Sequence, residues 1–528
     1  MSTTAAVVIT ENNIRQLRMY YASCRRCCRC APSQLALLFL LTSTNTIAAT
    51  WTVTPAIFVS KDYTDNVALS GPASKESKGI SILRPSIRIN GVGRNLKLGL
   101  DYYIQANDFV EKSSSQSTRQ AYTLSADSQL VKDELYLKAT VRRYPLNTGV
   151  GFLEQQRAEL LNNVNDVKTY LIEPKFKSVI NGNTELQIYS SIEQVDYQQE
   201  NNNIERPISD FSRFTAGLNA RSVDQNSRLK WRAYYYSIVE RRSNEESRTR
   251  KSGTFDTRYG INNEFVFLAK IGFDANQLNV NQNGSYLSAG FGWHPSPRFR
   301  IDVFAGKKYS EIGVKITPSK RATLSIKWRD TVVGLNPGQR WTGLLMWRTK
   351  NFVVSGTRLE EVVNYQSLLV SDQQNVATRA NLSPTDITFI RKRTSLSITT
   401  TRRKLNFKFR AYKESRKDIA GNLNPGDSIS ADGLPDSIMG ALARLFWNNS
   451  RRVTSSLIYG VEKIKNESNN EDDILTINAV LVTYRSKDKL FISVKAQHSE
   501  RVLAEGATET DRNNFVENLL GIKVTFKF

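Results

Sequence analysis

The chain has 528 residues, a formal net charge of +23 and a mean hydropathy of −0.41. No apolar run reaches the roughly 18 residues that a membrane-spanning helix needs, which excludes a helical membrane protein. Aromatic residues make up 10% and charged residues 23%, mixed along the whole length, which excludes general disorder.

The first recognisable segment is N-terminal. Arg25, Arg26 and Arg29 precede the apolar run from Leu35 to Leu41, and Ile47, Ala48 and Ala49 follow a short polar stretch. A basic region, a short apolar core and small residues at its exit predict a secretory signal peptide over residues 1–49, cut after Ala48 or Ala49. The basic region is long, and Met19 is a second candidate start. Cys24, Cys27, Cys28 and Cys30 crowd like a metal site but lie before the apolar core and would leave with the signal peptide. Five arginines and one glutamate precede Thr50, so the remaining chain carries +19. Such an excess points either to a polyanionic partner or to charges that face water or lipid headgroups.

From Thr50 onward, runs of about ten residues alternate apolar with polar and are separated by turn-forming or charged residues. Leu96, Leu98, Leu100, Tyr102 and Ile104 share one face, with Lys97, Gly99, Asp101 and Tyr103 on the other. Leu135, Leu137, Ala139 and Val141 oppose Tyr136, Lys138, Thr140 and Arg142. Leu405, Phe407, Phe409 and Ala411 oppose Lys404, Asn406, Lys408 and Arg410. A period of 2 means strands, because a helix would repeat every 3.6 residues. Short turns such as 91–94, 131–134, 181–183, 224–227, 294–298 and 486–488 are interleaved with long polar connections at 145–165, 198–208, 364–388, 415–435 and 500–513. This asymmetry predicts an all-β fold: one large antiparallel transmembrane β-barrel over 50–528, with short periplasmic turns and long extracellular loops. The segments count to about 24 strands, within 18 to 26, and an even number is expected. Residues 293–301, 316–324 and 447–455 share a Ser-x-Arg turn, which suits growth by hairpin duplication or convergent turn chemistry.

Three features favour a membrane barrel over a soluble sandwich. Trp293, Trp347, Trp447 and Tyr484 fall near turns on the apolar parity, as an interfacial aromatic girdle would. The polar parity is charged even in central strands. The last strand alternates through Leu520, Ile522, Val524, Phe526 and Phe528, and this ending resembles the recognition strand of the outer-membrane barrel assembly machinery, with Phe526 and Phe528 as its signal. Only a closed sheet gives strands in hydrocarbon a partner for every backbone polar group. The expected location is the outer membrane of a Gram-negative cell, reached through the general secretory route.

Two stretches carry a family resemblance. One runs from Trp51-Thr-Val-Thr-Pro-Ala-Ile-Phe-Val-Ser-Lys-Asp-Tyr-Thr-Asp-Asn66 to Gly91-Val-Gly-Arg-Asn-Leu-Lys-Leu-Gly-Leu-Asp-Tyr102. The other runs from Trp293 through Pro295-Ser-Pro-Arg298 to Gly306-Lys-Lys-Tyr309 and Ile326-Lys-Trp328. Together they resemble the uncharacterised outer-membrane proteins associated with the PEP-CTERM/exosortase system. The resemblance implies an outer-membrane barrel encoded near exopolysaccharide genes and supplies no catalytic residues. The basic charge and the crowded cysteines depart from that pattern.

Parity places a basic set on the inner face: Lys97, Lys138, Arg142, Lys230, Arg232, Arg300, Lys327, Arg329, Lys408, Arg410, Lys495, Lys523 and Lys527. Tyr103, Tyr136, Tyr234, Tyr236 and Tyr412 are interleaved with them. A basic, aromatic lumen would attract a polyanion and let sugar rings slide over tyrosine faces. Asp101 and Asp302 share that parity and would neutralise part of it. The reading this supports is a porin-like pore or conduit for export of an exopolysaccharide or other envelope polymer. A structural or interaction barrel is the alternative. Its partners would be outer-membrane lipid and lipopolysaccharide, the barrel assembly machinery, an anionic exopolysaccharide and periplasmic export components, with no nucleic acid and no cofactor. A lipid-modifying hydrolase is the least supported alternative, since only His294 and His498 exist. His294 is expected in a periplasmic turn, and Ser499 beside His498 points to the opposite face. No metal cluster or nucleophile motif is visible, so no enzyme is expected.

Overall fold

The computed structural model describes residues 50–67, 71, 75–109, 117–147, 164–198, 210–224, 226–242, 245–277, 280–334, 337–364, 388–400, 402, 404–418, 437–466, 471–486, 489–502 and 514–528. The signal-peptide segment 1–49, with its four cysteines, lies outside these residues, as do most of the long connections.

The alternating runs become 24 strands. The first eight are β1 (Thr50–Thr64), β2 (Lys78–Val92), β3 (Leu96–Phe109), β4 (Ser117–Val131), β5 (Leu135–Asn147), β6 (Val164–Ile180), β7 (Thr184–Gln198) and β8 (Phe211–Ser222). Then come β9 (Leu229–Arg242), β10 (Glu245–Gly260), β11 (Phe265–Asn276), β12 (Gly284–Ser296), β13 (Phe299–Lys307), β14 (Tyr309–Ser319), β15 (Ala322–Thr331) and β16 (Gly338–Arg348). The last are β17 (Phe352–Asn364), β18 (Thr388–Thr400), β19 (Leu405–Asp418), β20 (Ser437–Asn448), β21 (Val453–Asn466), β22 (Glu471–Ser486), β23 (Leu490–Val502) and β24 (Phe515–Lys527). Each pairs antiparallel with its chain neighbours, and β1 pairs with β24 from Ala56↔Lys527 to Thr64↔Leu519. The sheet is therefore a closed barrel with no free edge, which satisfies the backbone without disulfides.

Both β1 and β24 have their outer ends on the side of the short turns. Those turns carry local chemistry that the sequence shows directly. Asn181 and Gly182 both have positive φ (51° and 69°), the conformation that lets a tight hairpin turn match the strand twist. At the three Ser-x-Arg turns, Ser296, Ser319 and Ser450 Oγ each accept the backbone N–H of the arginine two residues on, at 3.3, 3.2 and 3.1 Å. The opposite end departs from the expectation of long loops throughout. There β13 and β14 are joined by Lys308 alone, at φ 65°, and only 243–244 separate β9 from β10. A single left-handed lysine between Lys307 and Tyr309 has no composition signal, so the sequence cannot mark it.

The register gives every strand an inner and an outer face. Outward residues form an apolar belt: Val53, Ile57 and Val59 on β1, Phe267 and Ile271 on β11, Leu457 and Tyr459 on β21, and Leu520 and Ile522 on β24 are all exposed. A belt of this extent matches hydrocarbon and not water. Trp293, Trp347, Trp447 and Tyr484 are exposed on the outer face beside short turns, joined there by Trp51. Trp328 and Trp341, registered partners on β15 and β16, mark the opposite border of the belt. Phe526 and Phe528 sit at the short-turn border with rings 4.8 Å apart, edge to face.

Candidate functional site

All thirteen basic residues selected by parity lie on the inner face by register, but they fall into two electrostatically different walls. On strands β2 to β15 many of the bases are cross-linked to acids. Arg88 pairs with Asp101, Lys138 with Glu173 at 3.1 Å, Arg232 with Asp256 at 3.0 Å, and Lys327 with Glu311 at 2.8 Å. Arg329 also approaches Glu311, at 3.9 Å. Asp302 receives Arg300, Arg258 (3.3 Å) and His294 (2.9 Å). Lys97, Arg142 and Lys230 make no ion pair among the described residues of this wall, and Lys230 and Arg300 are registered with further bases, Arg258 and Lys315, so acids are interspersed here without matching every base.

The wall from β19 to β24 is different. In its short-turn half the inward basic side chains are Lys408 and Arg410 on β19, Arg444 on β20, Arg485 on β22, Lys495 on β23, and Lys523 and Lys527 on β24, with no carboxylate among the described inward residues there. Lys408, Arg410, Arg444, Lys523 and Lys527 form no ion pair among the described residues. Lys408 and Arg444 are direct cross-strand partners, a like-charge juxtaposition that costs about 0.2–1 kcal/mol. Both cations lie over the Phe446 ring, at 5.4 and 4.2 Å from its centroid. Lys527 lies 5.1 Å from the Phe491 ring centre, and Arg485 lies 5.6 Å from it. The aromatic quadrupole holds each cation beside the wall while its charge still faces the lumen. Arg444 escaped the sequence reading because β20 carries apolar residues on both faces. The signal was present nonetheless: an outward Trp447 forces residues 446 and 444 inward.

The inward tyrosines also divide. Tyr234 and Tyr236 have ring centroids 5.5 Å apart, and the Tyr189 hydroxyl meets that of Tyr234 at 3.3 Å, forming an aromatic strip on β7 and β9. Gly217 on β8 makes the strip possible, because a Cβ there would come within 2.2 Å of the Tyr189 ring. Tyr412, by contrast, is buried and donates its hydroxyl hydrogen bond to Glu462 at 2.8 Å, so it offers no face to a passing sugar.

Burial of the inner face is concentrated at the end opposite the short turns. Ile80, Val167, Leu475 and Phe515 are buried there, as are Glu414, Ser499 and Glu517. The basic wall lies in the half that remains accessible.

The two histidines do not assemble a catalytic group. His294 belongs to β12, not to a turn, because that strand continues to Ser296, and its Nε2 faces Asp302 inside the barrel. His498 faces outward and its Nδ1 contacts Asn518 Oδ1 at 2.8 Å, while Ser499 points inward and accepts from Gln497.

No protein-family model and no curated protein matches the chain. Among solved structures it is similar to the FrpB iron transporter of Neisseria meningitidis in its apoprotein form, with 9% identity, 90% of this chain and 81% of that one covered, and a TM-score of 0.48. The ferric enterobactin receptor PfeA of Pseudomonas aeruginosa gives 10% identity, 90% and 80% coverage and a TM-score of 0.48. The siderophore receptor PirA of Acinetobacter baumannii gives 8% identity, 91% and 81% coverage and the same score. At these values no function is taken from the likeness.

Proposed function

We propose that this barrel spans the Gram-negative outer membrane and serves as a conduit for an anionic polymer of the cell envelope. The observation that carries the reading is the basic short-turn half of the β19 to β24 wall, where no described inward residue is a carboxylate and like charges face each other at Lys408 and Arg444. Fixed positive charge on a low-dielectric wall concentrates anions and lowers their entry barrier. The Tyr189–Tyr234–Tyr236 strip suits sugar rings on the opposite wall. The apolar belt and its aromatic borders support placement in a membrane. The family resemblance, which implies a barrel encoded near exopolysaccharide genes, is in keeping with an exopolysaccharide as the cargo.

The test is conductance of the refolded barrel in planar bilayers. An anion preference at low salt, blocked by dextran sulfate and not by neutral dextran, is the expected result. Preference for cations, or equal block by both polymers, would overturn it. A non-conducting structural barrel is the second reading, favoured by the burial of inward side chains at the loop end. A folded barrel that never conducts, with or without polymer, would decide for it.

A further inference from the structure

The outer surface of β17 to β21 carries a charged patch that the lumen does not use. Arg358, Lys392, Lys413 and Lys463 point outward, as their neighbours show: Arg391, Tyr412, Glu462 and Ile464 on either side of them are buried inward. Lys413 is registered with Thr394, which is registered with Arg358; on its other side it pairs with Met439, which pairs with Lys463. Paired strands lie about 4.8 Å apart, so the four cations span only about 20 Å of wall. Glu360, 3.5 Å from Lys392, is the one outward carboxylate of the patch among the described side chains. Arg358 and Lys413 have no ion pair among the described residues.

Directly toward the short turns the same strands present Leu396, Ala411, Ala441 and Val461 outward, followed by Tyr459 and Leu457. Four cations thus cap an apolar strip at its loop-side border. A surface that is apolar below and cationic at its border fits an amphiphile whose tails lie on the belt and whose headgroup bears phosphate. We infer that this face binds the phosphorylated glycolipid headgroup of the outer leaflet, the lipid A part of lipopolysaccharide. Each cation near an anionic membrane surface adds a similar increment of attraction, and several together hold one polyphosphorylated headgroup in register. On β5 and β6, by contrast, the outward Arg143 is tied to Asp166 at 2.8 Å. The inference rests on the reading that the barrel spans the outer membrane with its long connections outward.

The experiment uses the full refolded barrel in uncharged detergent, titrated with bisphosphorylated lipid A, with the same lipid stripped of phosphate, and with phosphatidylglycerol. The wild type should bind bisphosphorylated lipid A at least tenfold more tightly than either of the others. The triple variant Lys392→Gln, Lys413→Gln, Lys463→Gln should bind all three alike. Lys408→Gln, which changes the inner wall, should bind as the wild type does. Heat-modifiable mobility of every variant, checked first, separates loss of binding from loss of fold. Unchanged lipid A binding by the triple variant, or equal binding of phosphatidylglycerol by the wild type, would overturn the inference. Failure of the wild type to fractionate with outer membranes would instead overturn the membrane reading beneath it.

Discussion

Reversing one charge of the Lys408–Arg444 pair should stabilise the barrel while weakening its ion preference. The two cations lie 5.4 and 4.2 Å from one ring centre, so their charges are no more than 9.6 Å apart. At that distance Coulomb repulsion is about 0.4 kcal/mol in a water-like medium and about 1.7 kcal/mol at an effective dielectric of 20. The lumen is wet here, so the lower figure governs, as it does for exposed pairs generally. Lys408→Glu is the better reversal, because it keeps the closer Arg444–Phe446 contact. It replaces repulsion with attraction, and the gain should be about 0.5–1 kcal/mol, with Lys408→Gln giving roughly half. The assay is equilibrium unfolding in urea, in detergent micelles, at low and at high salt. At roughly 1 M salt the screening length is about 3 Å, and the gain should vanish. The same variant in planar bilayers should show a reduced anion preference. A Lys408→Glu barrel that is less stable than wild type at low salt, or whose difference from wild type ignores salt, would refute the electrostatic account of this wall.

Phe409 lies mid-way along the outward row of β19, between Leu405 and Lys413, so Phe409→Arg should cost about 2–4 kcal/mol in unfolding experiments in lipid, and Leu405→Arg at the border much less. Equal costs would mean that the belt is not centred on Phe409. Gly290→Ala should lower stability by more than about 2 kcal/mol, because its Cβ would come within 1.7 Å of the Val303 carbonyl oxygen, whereas Gly313→Ala meets nothing within 4 Å and should be near neutral. At the β1–β24 closure, burial pushes Asp65 up, but hydrogen bonds from the Asn518 backbone and side-chain N–H groups (2.7 Å each) and the Lys75 ammonium outweigh it and hold its carboxyl below the ordinary range. A depressed folded-state pKa stabilises above the unfolded value and is lost as pH falls through the folded one. Hydrogen exchange at residues 64–66 should therefore accelerate only below the ordinary carboxylate range, and Asp65→Asn should remove that dependence.

Strand number, inner and outer faces and the aromatic border were legible in the sequence, because a side-chain period of 2 and a one-sided apolar environment are local properties. Leu405, Phe407 and Phe409 announce their face without any knowledge of β18 or β20. The Ser296, Ser319 and Ser450 turns were legible for the same reason, since each hydrogen bond closes within two residues. Depth in the belt, and the state of each inward charge, depended on register. Lys138 and Lys408 look alike in sequence, yet one meets Glu173 across a strand pair and the other meets Arg444. That difference arises from which residues of distant segments are brought opposite each other when the sheet closes, and no periodicity within a single strand carries it. The outward patch of Arg358, Lys392, Lys413 and Lys463 was hidden likewise: each lies where its own outward row turns from apolar to polar, and only the tertiary structure sets them side by side at one border.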